Sequence, residues 1–208
     1  MSESKIIYII RHGETDFNKL GIVQGSGVDK ELNDLGKLQA QRFFDYYKDI
    51  KFDHIYTSNL IRTQQSVLPF IERGQKYTKM QELNEISWGI FEGKQQSSEE
   101  RAVYWEVVNA WRAGNYSARI TNGESARDMQ NRQIPGIQKI MSNTHEKCIL
   151  ICMHGRAMKS FLCTLLNEPL SKMEEFEHSN LGLYLLEKNE NGFKLIKRND
   201  RSHFGDLI

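Results

Sequence analysis

Lys5-Ile6-Ile7-Tyr8-Ile9-Ile10-Arg11-His12-Gly13-Glu14-Thr15 is the stretch whose reading decides the fold. Its first six residues are an unbroken β-branched and aromatic run, the pattern of a strand covered on both faces, as parallel strands in α/β proteins are. The run stops at Arg11-His12-Gly13, where polarity and a glycine replace it. The layout recurs once: Cys148-Ile149-Leu150-Ile151-Cys152-Met153 is wholly apolar, stops at His154-Gly155 and leads into an apolar helix up to about Asn167. Ligands of such sheets bind at the carboxyl ends of the strands. His12 and His154 both stand at such ends, so chemistry is expected there.

Outward from these strands, helices and strands alternate. Asn33 is placed to cap a helix over residues 34–49, with Leu35, Leu38, Phe43, Tyr46 and Ile50 recurring near helical spacing. A strand follows over 52–58, then a helix over 59–73 kinked at Pro69, then a short strand over 76–80. Ser97-Ser98-Glu99-Glu100 offers a capping box to a helix carrying Tyr104, Trp105, Val108 and Trp111. Gly123-Glu124-Ser125 opens another helical stretch, expected to be interrupted near Pro135-Gly136. Residues 181–187 and 193–197, joined across Asn189-Glu190-Asn191-Gly192, read as a terminal hairpin. The expected architecture is a three-layer α/β/α fold with a mostly parallel sheet. Residues 1–208 form one domain, with 86–145 a helical cap or insertion.

Composition narrows the function. With 28 basic and 27 acidic side chains among 208 residues the net charge is +1, which argues against a nucleic-acid or membrane-surface partner. No apolar leader or span of about 18 residues is present, so the expectation is a cytoplasmic enzyme. Its three cysteines, Cys148, Cys152 and Cys163, lack the paired spacing of a zinc site and read as reduced core residues. Oligomeric state cannot be read from the chain.

The motifs continue in order: Thr15-x-x-Asn18; Gln24-Gly25-x-x-Asp29-x-x-Leu32-Asn33-x-x-Gly36-x-x-Gln39-Ala40; Ser58-Asn59-Leu60-x-Arg62-x-x-Gln65; and Leu83-Asn84-Glu85-x-x-x-Gly89-x-x-Glu92-Gly93. In order and spacing this resembles the histidine phosphatase superfamily, the phosphoglycerate mutase-like proteins, up to about residue 165. The residues make chemical sense beside that resemblance. A phosphate monoester carries nearly two negative charges, which the guanidinium forks of Arg11 and Arg62 match in bidentate fashion. Neutral imidazole is a competent nucleophile toward phosphorus, because phosphoryl transfer needs alignment and charge stabilisation more than covalent push. Gly13 removes a Cβ where the backbone approaches the phosphate. His154 can donate to the equatorial oxygens.

The resemblance implies that His12 becomes a transient phosphohistidine, that Glu85 is the proton donor and later activates water, and that Arg11, Arg62 and His154 hold the phosphoryl group. It places Asn18, Gln24 and the Gly155 amide as secondary phosphate contacts, and implies no metal and no cofactor. Trp88 is placed to line the pocket, and Trp105 and Trp111 to pack in a core. Gly123-Glu124-Ser125 with Arg132 reads as architectural. His54, His145, His178 and His203 lack motif context and read as surface or core residues. Arg156 stands where the family's mutases usually carry Asn. Facing the pocket, it favours a more anionic substrate; on the helix surface, it carries no meaning. Gln24-Gly25-Ser26, where the mutases usually read Thr-Gly-Trp, and the absence of their Arg pair point to the phosphatase branch acting on a small phosphorylated metabolite. A phosphoglycerate mutase and a non-catalytic regulatory relative are the alternatives.

Overall fold

The computed structural model describes residues 4–207. Six strands form one sheet: β1 (Lys5–Arg11), β2 (His54–Thr57), β3 (Tyr77–Lys79), β4 (Cys148–Met153), β5 (Leu183–Asn189) and β6 (Gly192–Asp200), in the spatial order β3-β2-β4-β1-β5-β6. The β3–β2, β2–β4 and β4–β1 pairings are parallel, and β5 enters antiparallel to both β1 and β6. The sheet is thus mostly parallel. Its two apolar runs lie side by side at the centre, Arg11 opposite Met153, and the His12 amide donates to the Met153 carbonyl at 3.0 Å. The two histidines that follow the strands are therefore neighbours.

Alternation along the strands divides the core into two layers. Ile7, Ile9, Ile149, Ile151 and Met153 face one cluster, shared with Met129, Ile137 and Ile140 of α5 (Ala126–Ser142) and Met158, Phe161 and Leu162 of α6 (Gly155–Leu165). Ile10, Leu150, Cys152 and Ile55 face the other, shared with Phe43 and Tyr47 of α2 (Asp34–Tyr47) and Val67 and Phe70 of α3 (Ile61–Glu72). A short α1 (Asp16–Lys19) follows the first histidine, and α4 (Ser98–Arg112) adds Val107, Val108 and Trp111 to the first cluster. None of the helices in the described residues is long and apolar enough to cross a membrane.

Caps behave as their sequences dictate. Asn33 accepts the Gly36 amide, and Ser97 with Glu100 closes both halves of a capping box. Three expectations are corrected. Helix α5 runs without interruption through Pro135 and Gly136, because the face carrying Met129, Ile137 and Ile140 is buried and tertiary packing outweighs the lost backbone bond. On α2 the buried face is Gly36, Gln39, Ala40, Phe43 and Tyr47, while Leu35, Leu38 and Tyr46 stand 44%, 44% and 55% exposed. Gly36 lies against the Glu14 backbone, so close that the small-residue side of the helix has to turn inward. Trp105 is exposed on α4, its ring edge-on to Tyr104 and beneath the Arg112 guanidinium, whereas Trp111 is buried. The hairpin strands extend beyond the expected ends, to Asn189 and Asp200.

Candidate active site

The carboxyl ends of β1 and β4 and the segments after β1 and β3 converge on one cleft of about 240 Å³, lined by Arg11, His12, Asn18, Val23, Gln24, Glu85, Trp88, Gln96, Tyr104, Gly155, Arg156 and His178. A larger hollow of about 420 Å³ sits at the opposite ends of the strands, around Lys5, Lys147 and Lys188. The smaller one holds the expected chemistry, as the strand direction requires.

His12 is nearly buried, and its ring centroid lies 5.2 Å from that of His154. Its Nδ1 stands 2.7 Å from the Gly13 carbonyl oxygen. A carbonyl only accepts, so Nδ1 carries the hydrogen and Nε2 keeps its lone pair. The loop behind is fastened by the Gly13 amide donating to Ser66 Oγ of α3 at 2.8 Å, and by Asn180 Nδ2 donating to the His12 carbonyl at 2.9 Å.

Arg62 and His154 lie under the floor of the cleft, both fully buried. Arg62 Nε donates to His154 Nδ1 at 3.2 Å, while Nη1 donates to the Val28 carbonyl at 2.7 Å and Nη2 to that of Gly25 at 3.4 Å. Because Arg62 can only donate, His154 Nδ1 accepts, and His154 Nε2 bears the hydrogen toward Ser58 Oγ, 2.8 Å away. Burial lowers Arg62 to about 10, aided by Arg11 and opposed by Glu85 and Asp29. It stays a cation at neutral pH. Burial first, and then the charges of Arg62 and Arg11, hold both His12 and His154 well below the usual histidine value.

Glu85 accepts three backbone hydrogens. Oε1 takes those of Ile86 (2.9 Å) and Ala157 (2.7 Å), and Oε2 that of Arg156 (3.1 Å). The last two belong to the first turn of α6, whose free N–H groups hold the Glu85 side chain in place. The loop that carries Glu85 is clamped from behind. Arg132 pairs with both oxygens of Glu124 at 2.9 Å and donates to the carbonyls of Gln81, Glu82, Asn84 and Glu85. Glu124 and Arg132 are thus architectural, holding the loop that carries Glu85.

Gln24 Nε2 donates to Thr15 Oγ1 at 2.8 Å, and the oxygens of Thr15 and Asn18 complete the α1 capping box. Gln24 Oε1 and Arg11 Nε are buried without a protein partner. Trp88 stacks on Trp111 with 6.0 Å between centroids and forms part of the cleft wall. Among the described residues no three His, Cys, Asp or Glu side chains stand together as a metal site would need.

One expectation fails. His178 is a cleft residue, its Nδ1 3.3 Å from Arg11 Nη1, which donates to it. Its ring packs against Gly155, where a Cβ would come within 2.7 Å of it. Tyr104, Gln96 and Asn180 also carry no sequence signal: none sits in a motif, and each reaches the site only through long-range packing. Ser58 opens the motif that holds Arg62, but its contact with His154 follows only from the fold. Arg156 faces the cleft.

Burial keeps these imidazoles neutral, with consequences for stability. His178 is lowered to about 3 by burial and by Arg11, and His203, in the α2–α3 layer, to about 4 by burial. Below pH 6.5 the unfolded chain takes up protons that the folded one refuses, so stability is full above 6.5 and falls as pH falls toward those values. Urea midpoints should decline between pH 6.5 and 5, above the carboxylate range. A constant midpoint over that interval would contradict the neutral, buried state of these rings.

A parallel-centred sheet with His12 and His154 after adjoining strands, Arg11 at the end of β1 and Arg62 in the first turn of α3 is the frame of a phosphoryl-handling α/β protein. The family model for the histidine phosphatase superfamily (branch 1) matches residues 7–201, and the chain belongs to that superfamily. It is 25% identical over 202 residues to phosphoserine phosphatase 1 of Hydrogenobacter thermophilus, covering 97% of this chain and 95% of the relative. It is 27% identical over 212 residues to a protein named as a probable phosphoglycerate mutase of Proteus mirabilis, with 97% and 95% covered. The crystal structure of the α-ribazole phosphatase from Shigella flexneri superposes with a TM-score of 0.82 at 26% identity, over 94% of this chain and 96% of that one.

Proposed function

We propose that the chain is a metal-independent phosphomonoesterase that hydrolyses a small phosphorylated metabolite through a phosphohistidine on His12. The observation that carries this reading is the His12 tautomer, with Nδ1–H tied to the Gly13 carbonyl and the Nε2 lone pair left for attack. As Nε2 bonds to phosphorus, positive charge grows on the ring, and the carbonyl on Nδ1–H stabilises it. The P–O bond to the leaving group breaks, and the departing oxygen takes its proton from Glu85. In the second half, water passes a proton to Glu85 and its oxygen displaces His12, returning phosphate and the neutral imidazole. Charge spread over the equatorial oxygens is met by Arg11 and Arg62, which do electrostatically what a divalent cation would do elsewhere. Asn18, Gln24 and the Gly155 amide complete the phosphate cradle, and His154, whose hydrogen is on Nε2 while Nδ1 accepts from Arg62, donates to an equatorial oxygen. The whole chain acts as one domain, in which the 86–145 insertion supplies Trp88, Gln96 and Tyr104 to the wall over the leaving group.

The test is phosphate release from an aryl phosphate and a panel of metabolite monoesters with chelator present, together with acid quenching of the enzyme mid-turnover. Expected are chelator-insensitive release and an acid-labile, base-stable phosphoryl group on His12. Loss of activity in chelator would overturn the reading. Primer-dependent phosphoglycerate interconversion without net release would also overturn it, and would make the protein a mutase.

A further inference from the structure

The cleft wall that carries Arg156 is more basic than phosphoryl transfer at His12 requires. Arg156 Nη1 donates to Glu174 Oε1, and Nη2 donates to the Tyr104 hydroxyl at 2.6 Å. The same carboxylate takes Lys159 at 3.1 Å and stands 4.0 Å from Arg112. Three cations, two of them nearly buried, therefore share one anion. Buried positive charge in excess of its counter-charge is costly, and an incoming anion would offset it. The surplus is felt nearby: after burial and Arg11, the charges of Lys159 and Arg156 also lower His178.

Donors on this wall remain open. Two of the five Arg156 N–H groups are used by Glu174 and Tyr104. Tyr104, accepting from Arg156, keeps its own hydroxyl hydrogen. His178 accepts from Arg11 at Nδ1, so its hydrogen is on Nε2, which has no protein partner and is not buried. Gln96 Nε2, on the same cleft, is buried without a partner. The guanidinium lies over the Trp88 and Trp111 rings, with 5.9 and 5.7 Å from Cζ to the centroids, which helps to hold it in place before a ligand arrives. At about 240 Å³ the cleft is smaller than the roughly 300–1,000 Å³ that larger ligands occupy. The space suits a compact leaving group.

We propose that Arg156, Tyr104 and His178 form a second anion subsite, so that the substrate is a small phosphomonoester carrying a further anionic group, a carboxylate or a second phosphate, on its leaving group. This rests on the phosphatase reading of His12 and names the substrate class of that site. Glu174 acts as the counter-ion that holds Arg156 in place without neutralising the wall.

Calorimetric titration of the His12→Ala protein separates the two ideas, because binding needs no turnover. Three ligands share a three-carbon frame: glycerol 3-phosphate, 3-phosphoglycerate and 1,3-propanediol bisphosphate. At least one dianchored ligand is expected to bind about 10-fold or more tighter than glycerol 3-phosphate, the range of one charge-assisted hydrogen bond, and the tighter of the two identifies the anion. Arg156→Gln and His178→Phe, each added to His12→Ala, should bring that ratio to within about threefold of unity. Tyr104→Phe, which keeps the ring packing, should reduce it in part and serves where Arg156→Gln fails to fold. Equal affinities for the three ligands, or a ratio that survives Arg156→Gln, would overturn the subsite and leave the phosphatase reading intact. A preserved ratio in a wild-type protein that releases no phosphate would do the reverse. Failure of all three to bind would overturn both.

Discussion

Replacing His12 by Ala is expected to lower phosphomonoesterase turnover by at least about 10⁴-fold, the scale on which removing a covalent nucleophile disables an enzyme. The other groups of the site cannot substitute for it. His154 presents Nδ1 to Arg62 and Nε2 to Ser58, so neither nitrogen is free for phosphorus. His178 gives Nδ1 to Arg11 and has only a hydrogen on Nε2. The variant should fold normally, because the side chain makes one hydrogen bond, to its neighbour Gly13, and leaves only that carbonyl without a partner. Circular dichroism and thermal unfolding serve as controls, and loss of the acid-labile phosphoenzyme should accompany loss of turnover. Retention of more than a few per cent of activity in a folded His12→Ala protein would remove the covalent mechanism.

Arg62→Ala should damage stability and catalysis together. The guanidinium is fully buried and serves three acceptors: His154 Nδ1, the Val28 carbonyl and the Gly25 carbonyl. Truncation leaves all three unpaired around a cavity, at a cost of about 3 kcal/mol, or a Tm fall of roughly 6–12 °C for a domain of this size. On the proposed mechanism turnover should fall by at least about 10³-fold, since one of its two phosphoryl-binding cations is lost. Arg62→Lys tells the two roles apart. It keeps the charge but not the fork that spans His154 and the 25–28 loop, so most of the charge effect should persist while stability still drops. Normal activity in Arg62→Ala would mean that Arg11 alone carries the phosphate.

How much of this could be read from the chain varies with the range of the interaction. The β1 and β4 runs were legible because burial on both faces demands apolar residues at successive positions, and both strands form as read. The capping box at Ser97 and the cap at Asn33 are local and were equally plain. Helix α2 was legible as a helix but not in its orientation. Leu35, Leu38 and Tyr46 form an apolar stripe that the fold leaves in solvent, since the close approach of Gly36 to the Glu14 backbone selects the other side. Pro135 misled for the same reason in reverse: a local rule of helix breaking gave way to a buried face.

The sequence by itself determined the alternating architecture, the placement of His12 and His154 after two central strands, and the set of arginine, histidine and carboxylate groups suited to phosphoryl chemistry, all of it carried by short-range patterns. Only the tertiary structure decided which hydrogen each imidazole carries, because that follows from the partners Gly13, Arg62, Ser58 and Arg11. It alone brought His178 onto Gly155 and turned Arg156 toward Tyr104 and Glu174 in the cleft wall. These contacts join segments from 18 to 167 residues apart along the chain, and no periodicity or motif spans such separations. The packing of α4, α6 and the segment after α6 creates them.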